Sequence, residues 1–272
     1  MSKKIGFIGA GVMGSAIIKG IINSKFVKKE DIVASEYTEE AASRVEKELK
    51  IKVVLDNLAL IKHCDVIVIA TKPFVVDKVL EEIKEVIDGK KLIISIAAGI
   101  TTKYIEDIVG KKVPVIRSMP NTPSLVNEGM TAVCKGKFAS DEDIEFATEL
   151  FSKVGKCVEV NEKQMDAVTG VSGSGPAFMY LIIDALADGG VRLGLTKKVA
   201  LELAAQTALG AAKMILETGK HPAVLKDEVT TPGGTTAEGL FVLESNGIKG
   251  IIEKTVEKTA LKSAGGKKQT ND

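Results

Sequence analysis

Histidine, cysteine and tryptophan are scarce in this 272-residue sequence, which has two histidines, three cysteines and no tryptophan. With only His63 and His221, we expect neither a histidine-built metal centre nor a catalytic triad that uses histidine, although carboxylate-bound metals stay open. Cys64, Cys134 and Cys157 show no CxxC spacing, which argues against a disulfide framework and a thiolate metal site. This cysteine usage favours a reducing, cytoplasmic location.

Neither an excess of charge of one sign nor a long uninterrupted apolar run is apparent. Lys plus Arg (37) nearly balance Asp plus Glu (36), giving a net charge of +1, so we expect no nucleic-acid or acidic membrane partner. The apolar run after Pro176 is broken by Asp184, Asp188 and Arg192, so we expect no transmembrane segment there. The apolar stretch near the amino terminus is interrupted by glycines, and we do not expect it to be a signal peptide.

An apolar content of 45% is enough for a buried core, and it is arranged in two patterns. In residues 1–160, Val- and Ile-rich runs without polar alternation are typical of strands covered on both faces. Amphipathic helical stretches separate several of these runs, so we predict a doubly wound, mainly parallel sheet of the Rossmann type. The predicted strands are KKIGFIG, DIVAS, IKVV, DVIVIA, KLIISIA, VPVIRSM, MTAVC and CVEV.

The strand pattern ends near residue 160, and we predict an all-helical second domain over residues 161–272. It would contain five helices separated by Gly, Pro and Thr, with a frayed polar tail, GGKKQTND. Residues 199–216 are apolar around most of a helical circumference, so a domain of this size would have difficulty covering them alone. This favours a homodimer that interleaves helical domains over a monomeric bundle.

The sequence GAGVMG directly follows the first predicted strand and begins a helix. In this context Gly9 allows a tight turn, Gly11 lets the backbone approach a pyrophosphate, and Gly14 allows close packing of helix on strand. A complete strand–turn–helix–strand context favours a dinucleotide site over a purely structural turn. The predicted residues of this loop are Ile8, Gly9, Ala10, Gly11, Val12, Met13 and Gly14.

Further predicted cofactor residues follow other strands, because ligands of open parallel sheets bind at the carboxyl ends of the strands. After the second strand, Glu36 would bond the ribose 2′-hydroxyl and repel a 2′-phosphate; alternatively, Glu36, Glu39 and Glu40 only place negative charge at a helix start. The loop SIAAGIT would let backbone approach a flat ring, or would only pack tightly. The other predicted cofactor residues are Ser35, Asn57, Ala70, Thr71, Lys72, Pro73, Ala97, Ala98 and Gly99.

Seven motifs spread over essentially the whole chain carry a family resemblance. They are IGFIGAGVMGSAI, ATKPF, SIAAGIT, RSMPNTP, AVTGVSGSGPAF, DALADGGVRLGL and VTTPGGTTAEGL. Together they resemble Δ1-pyrroline-5-carboxylate reductase, and the last three lie where a generic dinucleotide-binding protein would have no reason to match. The resemblance implies hydride transfer from a nicotinamide cofactor to 1-pyrroline-5-carboxylate, giving proline. It also implies a site where the helical domains of two subunits meet.

The resemblance assigns residues of the helical domain to the substrate. In VTTPGGTTAEGL, Pro232 would fix φ in a turn and the two glycines would accept unusual dihedral angles. The first amides of the following helix would bind the substrate carboxylate. Thr236 is the predicted catalytic residue, serving the imine nitrogen, or else a plain helix cap. An iminium carbon is already electrophilic, so no strong base and no metal are expected. The predicted substrate-binding residues are Glu162, Ser174, Gly175, Thr231, Gly233, Gly234, Thr235 and Thr236. Alternatively, Glu162 is only structural, and SGSGP, residues 172–176, is only a bend between two helices.

Cofactor choice and two rival functions stay open. The family favours NADPH, but many members carry an Asn-Arg or comparable pair after the serine that matches Ser35, where this sequence has Glu36 and Tyr37. We therefore expect NADPH, with NADH left open. The first rival is a 3-hydroxyacid dehydrogenase or another imine reductase, which usually place a Lys or Asp in the helical half. The second is a non-catalytic redox sensor, which would normally need a partner-binding module.

Overall fold

The computed structural model describes residues 3–265 and divides into two compact units. One unit holds the chain up to Ser174 together with the chain from Lys258 onward, and the other holds Gly175–Glu257. The tail that was predicted to fray lies outside the described residues from residue 266 onward.

Eight strands form one sheet in the first unit, and each overlaps a predicted strand segment. They are β1 Ile5–Ile8, β2 Ile32–Ser35, β3 Lys52–Val54, β4 Val66–Ile69, β5 Leu92–Ser95, β6 Val115–Met119, β7 Gly129–Lys135 and β8 Gly155–Glu159. The strand order is β3–β2–β1–β4–β5–β6–β7–β8. All neighbouring pairs are parallel except β6 with β7. The predicted mainly parallel sheet is therefore confirmed.

Helices cover the sheet in the first unit and make up the second unit. The helices up to residue 168 are α1 Val12–Asn23, α2 Glu39–Leu49, α3 Asn57–His63, α4 Val76–Ile83, α5 Thr102–Val109, α6 Asp141–Ser152 and α7 Met165–Val168. The later helices are α8 Gly175–Arg192, α9 Lys197–Thr218, α10 Pro222–Glu228, α11 Thr235–Ser245 and α12 Ile248–Gly265.

Two apolar cores, one on each face of the sheet, explain why the strands are continuous runs of Val and Ile. One core packs α1, α2 and α6 against the sheet, and the other packs α3, α4 and α5 against it. All residues of β1, β4 and β5 are buried, as expected for strands that contact helices on both sides. The predicted doubly wound arrangement is confirmed, and it leaves the loops at the strand ends to bind a ligand.

The second unit has little core of its own. Its buried apolar cluster consists of Ala187, Ala200 and Ala204, while large apolar side chains such as Leu181, 72% exposed, and Phe241, 69% exposed, remain at its surface. An exposed apolar surface of this kind is typical of an interaction face.

Two helical segments, Glu162–Arg192 and Lys197–Thr218, are long and apolar enough to cross a membrane by length and composition alone. This differs from the sequence expectation for the run after Pro176. The charges of that run are too few and too widely spaced to exclude an apolar window of membrane-spanning length. Only 11% of each window is buried within the chain.

Three features of the helical region differ from the sequence expectation or go beyond it. α10 was not among the five predicted helices; it begins at Pro222, which suits a first helical position. Thr169–Gly173 forms a π-helical turn, a rare conformation that is frequent at functional sites. The predicted domain boundary after residue 160 follows the end of β8 at Glu159, whereas the compact units divide after Ser174.

Candidate functional site

The glycine loop between β1 and α1 has the conformation that an anion site requires. Gly9 has a φ of +90°, which disfavours any side chain. A Cβ on Gly11, the N-cap of α1, would meet no atom within 4 Å, whereas a Cβ on Gly14 would lie 2.8 Å from the carbonyl oxygen of Gly9. The backbone beside Gly11 is therefore open to a ligand, and no side chain caps the first amides of α1.

Backbone hydrogen bonds bring the ends of four strands to one edge of the sheet. These bonds run from Gly9 N–H to Ser35 O (2.9 Å), from Ala70 N–H to Ile8 O (2.9 Å) and from Ile96 N–H to Ile69 O (3.1 Å). The predicted cofactor residues at 8–14, 35–36, 70–73 and 97–99 thus lie along a single edge. The strand order reverses there between β1 and β4, which is where ligands of such sheets bind.

Glu36 is directed towards the glycine loop. Its Oε1 accepts a hydrogen bond from the backbone N–H of Ala10 at 2.6 Å. The N-cap of α2 is Thr38, whose side chain accepts from Ala41 N–H, so Glu36 is not needed to begin that helix. The contact therefore favours a role for Glu36 at the dinucleotide site over the helix-start alternative.

A cation also lies near the end of β2. The Lys78 Nζ on α4 is 4.9 Å from the centroid of the Tyr37 ring, which is 85% exposed. A negatively charged Glu36 and a positively charged Lys78 therefore both lie near the end of β2. The adenosine ribose, at which NADH and NADPH differ, is predicted to bind there.

A hydrogen-bonded chain of three side chains links β2 to α3 and α4. The Ser35 hydroxyl donates to Asn57 Oδ1 at 2.6 Å, and Asn57 Nδ2 donates to Glu82 Oε2 at 2.9 Å. Ser35 is 3% exposed and Asn57 is the first residue of α3. These hydrogen bonds thus join two predicted cofactor residues, Ser35 and Asn57, to Glu82, a glutamate that the sequence did not single out.

The loop after β4 contains a hydroxyl with no partner among the described residues. The Thr71 Oγ1 is buried, and it neither accepts nor donates a hydrogen bond among the described residues. Lys72, which follows, is exposed, and Pro73 begins a short 3₁₀ turn that leads into α4. An unpaired buried hydroxyl is costly, so this position suits a ligand that supplies the missing partner.

The loop after β5 turns sharply and then enters α5. Ala97 is buried, Ala98 is exposed and Gly99 has a φ of +76°, which favours glycine. Thr101 caps α5 by accepting a hydrogen bond from Tyr104 N–H at 3.1 Å. The predicted nicotinamide loop is thereby held between a buried strand and a capped helix.

Glu162, which itself belongs to the first unit, binds Thr102 with both carboxylate oxygens. Oε1 accepts from Thr102 N–H at 2.8 Å, Oε2 accepts from the Thr102 hydroxyl at 2.7 Å, and Arg117 Nη1 lies 3.4 Å from Oε1. Arg117 is 2% exposed, so Glu162 is the counter-ion of a buried cation. These contacts give Glu162 a positioning role at the start of α5. Its predicted contact with substrate stays a prediction.

Glu106 and Cys134 lie close to this ion pair. Burial raises the pKa of Glu106, and the nearby negative charge of Glu162 adds to the rise, while the backbone N–H groups of Lys137 and Phe138 oppose it. Burial likewise raises the pKa of the Cys134 thiol to about 12. Cys134 therefore stays protonated and is a structural residue, not a nucleophile.

Asn121 fixes the position of the π-helical turn. Its Nδ2 donates to the carbonyl of Ser172 at 3.0 Å, and its Oδ1 accepts from Met130 N–H at 2.8 Å. Ser174, a predicted substrate residue, closes the turn by donating its N–H to the carbonyl of Thr169 at 2.9 Å. Hydrogen bonds therefore hold the geometry of the segment SGSGP, and its predicted role at the substrate site stays a prediction.

Residues Thr231–Gly234, in the second unit, form a tight turn. The Gly234 N–H donates to the carbonyl of Thr231 at 3.0 Å, Pro232 holds the second position, and Gly233 has a φ of +68°. This is the pattern of a type II β-turn, in which proline presets φ and glycine accepts a positive φ. Of the two glycines, only Gly233 needs unusual dihedral angles.

α11 begins directly after this turn without a side-chain cap. Gly234 is the N-cap, and Thr235 and Thr236 are the first two helical residues. Thr236 is half-buried, and its hydroxyl has no hydrogen-bond partner within residues 3–265. Because Gly234 is the N-cap and no side chain caps the helix, the alternative in which Thr236 is the helix cap is wrong. The first amides of α11 lack a side-chain partner, a condition that favours an anion.

The sequence expectation also concerned metal-ligand clusters and cysteine thiols. Within residues 3–265 no group of three His, Cys, Asp or Glu side chains could hold a metal ion. The three cysteines are free, and burial raises the pKa of Cys64 and Cys157 to about 11.

Sequence reasoning did not assign Arg117, Asn121 and Glu82, which all contact predicted site segments, nor Glu106, which lies close to Glu162. One signal was readable: an arginine inside the apolar strand VPVIRSM needs a carboxylate partner if it is buried. Nothing in the sequence marks Glu82, which lies on the polar face of an amphipathic helix among other glutamates.

The glycine loop, the strand order and the four loops at one sheet edge define a dinucleotide-dependent protein with a separate helical region. The family models agree. Residues 4–99 match a model described as NADP oxidoreductase, coenzyme F420-dependent, and residues 162–265 match one described as pyrroline-5-carboxylate reductase dimerisation.

Similar proteins narrow this class to one family. A pyrroline-5-carboxylate reductase from Methanosarcina acetivorans is 46% identical over 96% of this chain and 97% of its own length. The structure of such a reductase from Coxiella burnetii has a TM-score of 0.93 at 34% identity, covering 99% of this chain and 100% of its own. One from Plasmodium falciparum, with NADP bound, has a TM-score of 0.88 at 36% identity and covers 98% of each chain. The chain belongs to the pyrroline-5-carboxylate reductase family.

Proposed function

We propose that this protein reduces 1-pyrroline-5-carboxylate to L-proline with a reduced nicotinamide dinucleotide, the last step of proline biosynthesis. The observation that carries the proposal is the uncapped helix start after Thr231–Gly234, with an unpartnered Thr236 hydroxyl, in a chain that also has a complete glycine loop. Family membership argues against the hydroxyacid dehydrogenase and the redox sensor. The proposed division of labour has residues 1–160 binding dinucleotide and residues 161–272 binding substrate and a second subunit.

The dinucleotide would be held by backbone and by small side chains at the sheet edge. The open backbone at Gly11 and the first amides of α1 would receive the pyrophosphate, and the loops 70–73 and 95–101 would receive the nicotinamide half. The unpaired Thr71 hydroxyl supports this assignment, because a bound ligand would satisfy it. When bound, the reduced nicotinamide supplies a hydride to the carbon of the imine.

Thr236 would act on the imine nitrogen, and the first amides of α11 would bind the substrate carboxylate. A hydroxyl can donate to the nitrogen and accept from its protonated form, which suits a group that changes from imine to amine. No strong base is needed, since a protonated imine is already electrophilic. The chain contributes orientation and exclusion of water.

The chain is an NAD(P)H-dependent family member, and we propose that it uses both dinucleotides. The Glu36 carboxylate favours the 2′-hydroxyl of NADH, whereas Lys78 and the bound NADP of the Plasmodium falciparum relative favour NADPH. Opposite charges at one strand end support dual use over strict selection.

The exposed apolar surface of the second unit supports self-association of the protein through its helical region. It leaves large apolar side chains exposed, and residues 162–265 match the dimerisation model of the family. A second copy of the chain would cover these faces, which explains their hydropathy without a membrane. The three cysteines are free, with Cys64 and Cys134 buried and Cys157 partly buried, which supports a cytoplasmic location.

One assay tests the proposed reaction. Purified protein is mixed with 1-pyrroline-5-carboxylate and either NADPH or NADH, and the loss of reduced-nicotinamide absorbance is followed together with proline formation. We expect turnover with both dinucleotides. Absence of turnover with either would reject the proposed reaction, and oxidation of a hydroxyacid would instead support the dehydrogenase alternative.

A further inference from the structure

We propose that Glu82 is a specificity-determining residue that favours NADH by fixing the direction of the hydrogen bonds at Ser35. The proposal rests on the dinucleotide site proposed above, with Ser35 at the ribose of the adenosine half. Glu82 does not need to touch the ligand. It acts through Asn57, and it therefore positions hydrogen-bond donors and acceptors and performs no chemistry itself.

The geometry joins three side chains from three elements. Ser35 ends β2, Asn57 begins α3 and Glu82 lies near the end of α4. The Ser35 Oγ to Asn57 Oδ1 distance is 2.6 Å, and the Asn57 Nδ2 to Glu82 Oε2 distance is 2.9 Å. Both are within the range of good hydrogen bonds, so the two bonds set each other's direction.

Glu82 determines which way the Asn57 amide faces. An ionised carboxylate can only accept hydrogen bonds, so the NH₂ group of Asn57 must face Glu82. The amide oxygen then faces Ser35, and the serine hydroxyl must donate its single proton to it. If the amide were reversed, two oxygens would stand 2.9 Å apart without a proton between them.

As a result, Ser35 presents only lone pairs to a ligand. The 2′-hydroxyl of NADH can donate to such an oxygen. The 2′-phosphate of NADPH carries acceptor oxygens and needs donors, which Ser35 cannot supply while its proton is held by Asn57. Together with Glu36, whose carboxylate also only accepts, this makes the end of β2 an acceptor-rich site.

Charge alone would not explain this effect, because Glu82 belongs to a helix with charges of both signs. Lys78 lies one turn before Glu82 on α4 and places a cation near Tyr37. Glu81, next to Glu82 and also exposed, pairs with Lys84 at 2.6 Å. Glu81 and Glu82 thus carry the same charge on the same helix, and only Glu82 bonds to Asn57 in the described chain.

The test compares Glu82→Gln with Glu81→Gln. Both variants remove one negative charge, but only Glu82→Gln allows the Asn57 amide to face either way, which frees the Ser35 proton to reach a phosphate. We expect Glu82→Gln to shift the ratio of the NADPH and NADH dissociation constants towards NADPH by about threefold to tenfold, the effect of one hydrogen bond. Glu81→Gln should leave the ratio within about twofold of the wild type.

A second pair, Glu82→Lys and Glu81→Lys, tests the direction of the bonds. A lysine can only donate, so Glu82→Lys would force the Asn57 amide to reverse, and the shift towards NADPH should exceed that of Glu82→Gln. Both dissociation constants are measured by the fluorescence of the reduced nicotinamide. Kinetic assays should show the same change in the kcat/KM ratio with an unchanged KM for 1-pyrroline-5-carboxylate.

The outcomes separate this inference from the proposed reaction. Equal shifts in the Glu82 and Glu81 variants, or no shift in either, would reject a role for Glu82. A wild-type protein that binds both dinucleotides but does not turn over would reject the proposed reaction and leave the ratio test of Glu82 intact. A wild-type protein that binds neither dinucleotide would reject both.

Discussion

Replacing Glu162 with alanine should destabilise the first unit far more than an ordinary surface substitution. The change removes the acceptor of two hydrogen bonds from Thr102, at 2.8 and 2.7 Å, and the counter-ion of Arg117 at 3.4 Å. Because α5 begins at Thr102, directly after the predicted nicotinamide loop, the loss should also loosen that loop and raise the KM for the dinucleotide.

The magnitude follows from burial. Removing one partner of a buried ion pair costs about 3–5 kcal/mol, because the other charge stays uncompensated, and Arg117 is 2% exposed. The pair distance is long, and the Glu162 side chain is 29% exposed, so water would replace part of what is lost. The lower end of the range, about 3 kcal/mol, is therefore expected for Glu162→Ala. Glu162→Gln keeps an acceptor for Thr102 and should cost about 1–2 kcal/mol.

Urea unfolding followed by circular dichroism measures these differences, with Glu159→Ala as the matched control. Glu159 is exposed at the end of β8, and its side chain has no hydrogen bond or ion pair among residues 3–265, so its removal should cost less than about 0.5 kcal/mol. If Glu162→Ala were no more destabilising than Glu159→Ala, the assignment of Glu162 as the counter-ion of Arg117 would be refuted.

Four further predictions concern the dinucleotide loop, cofactor choice, pH dependence and catalysis. Gly11→Ala should abolish dinucleotide binding and leave the free energy of unfolding nearly unchanged, whereas Gly14→Ala should destabilise the fold, because its Cβ would lie 2.8 Å from a backbone oxygen. Glu36→Ser should raise the preference for NADPH, measured as the ratio of kcat/KM values, since it removes a carboxylate that repels the 2′-phosphate. Glu106→Gln should gain stability relative to the wild type as the pH rises. The folded-state pKa of Glu106 is raised by burial, so its contribution to stability is fully present below the unfolded pKa of about 4.3 and is lost as the pH rises through the folded value. Thr236→Val should lower kcat by roughly tenfold to a thousandfold, as expected for a lost donor at the reacting nitrogen.

Each of these predictions has an outcome that contradicts it. Equal loss of stability in the Gly11 and Gly14 variants would remove the distinction between an open and a packed glycine. An unaltered ratio of the kcat/KM values for NADPH and NADH would show that Glu36 has no role in cofactor selection. A stability difference for Glu106→Gln that does not change between pH 4 and pH 8 would contradict the raised pKa. Unchanged kinetics in Thr236→Val would show that Thr236 has no catalytic role. Because Gly234 is the N-cap of α11, Thr236 would then have no role as a helix cap either.

Sequence reasoning reached most of the architecture because local patterns determine it. Val- and Ile-rich runs mark the strands that are covered on both faces, such as β1, β4 and β5, and each of the eight strands overlaps a predicted segment. The turn at Pro232 and Gly233, though not its type, was predicted for the same reason, because proline restricts and glycine extends the allowed backbone angles. The helix α10 was missed because its seven residues carry no sustained apolar period.

The sequence by itself determined the strands, most of the helices and the glycine loop, because these depend on residues close together in the chain. Only the tertiary structure decided which distant side chains meet. Glu162 contacts Thr102, 60 positions away, and Ser35, Asn57 and Glu82 form one chain of hydrogen bonds from three elements. Such contacts depend on where the sheet brings each strand end and on how the helices pack over it, and no local pattern records that arrangement.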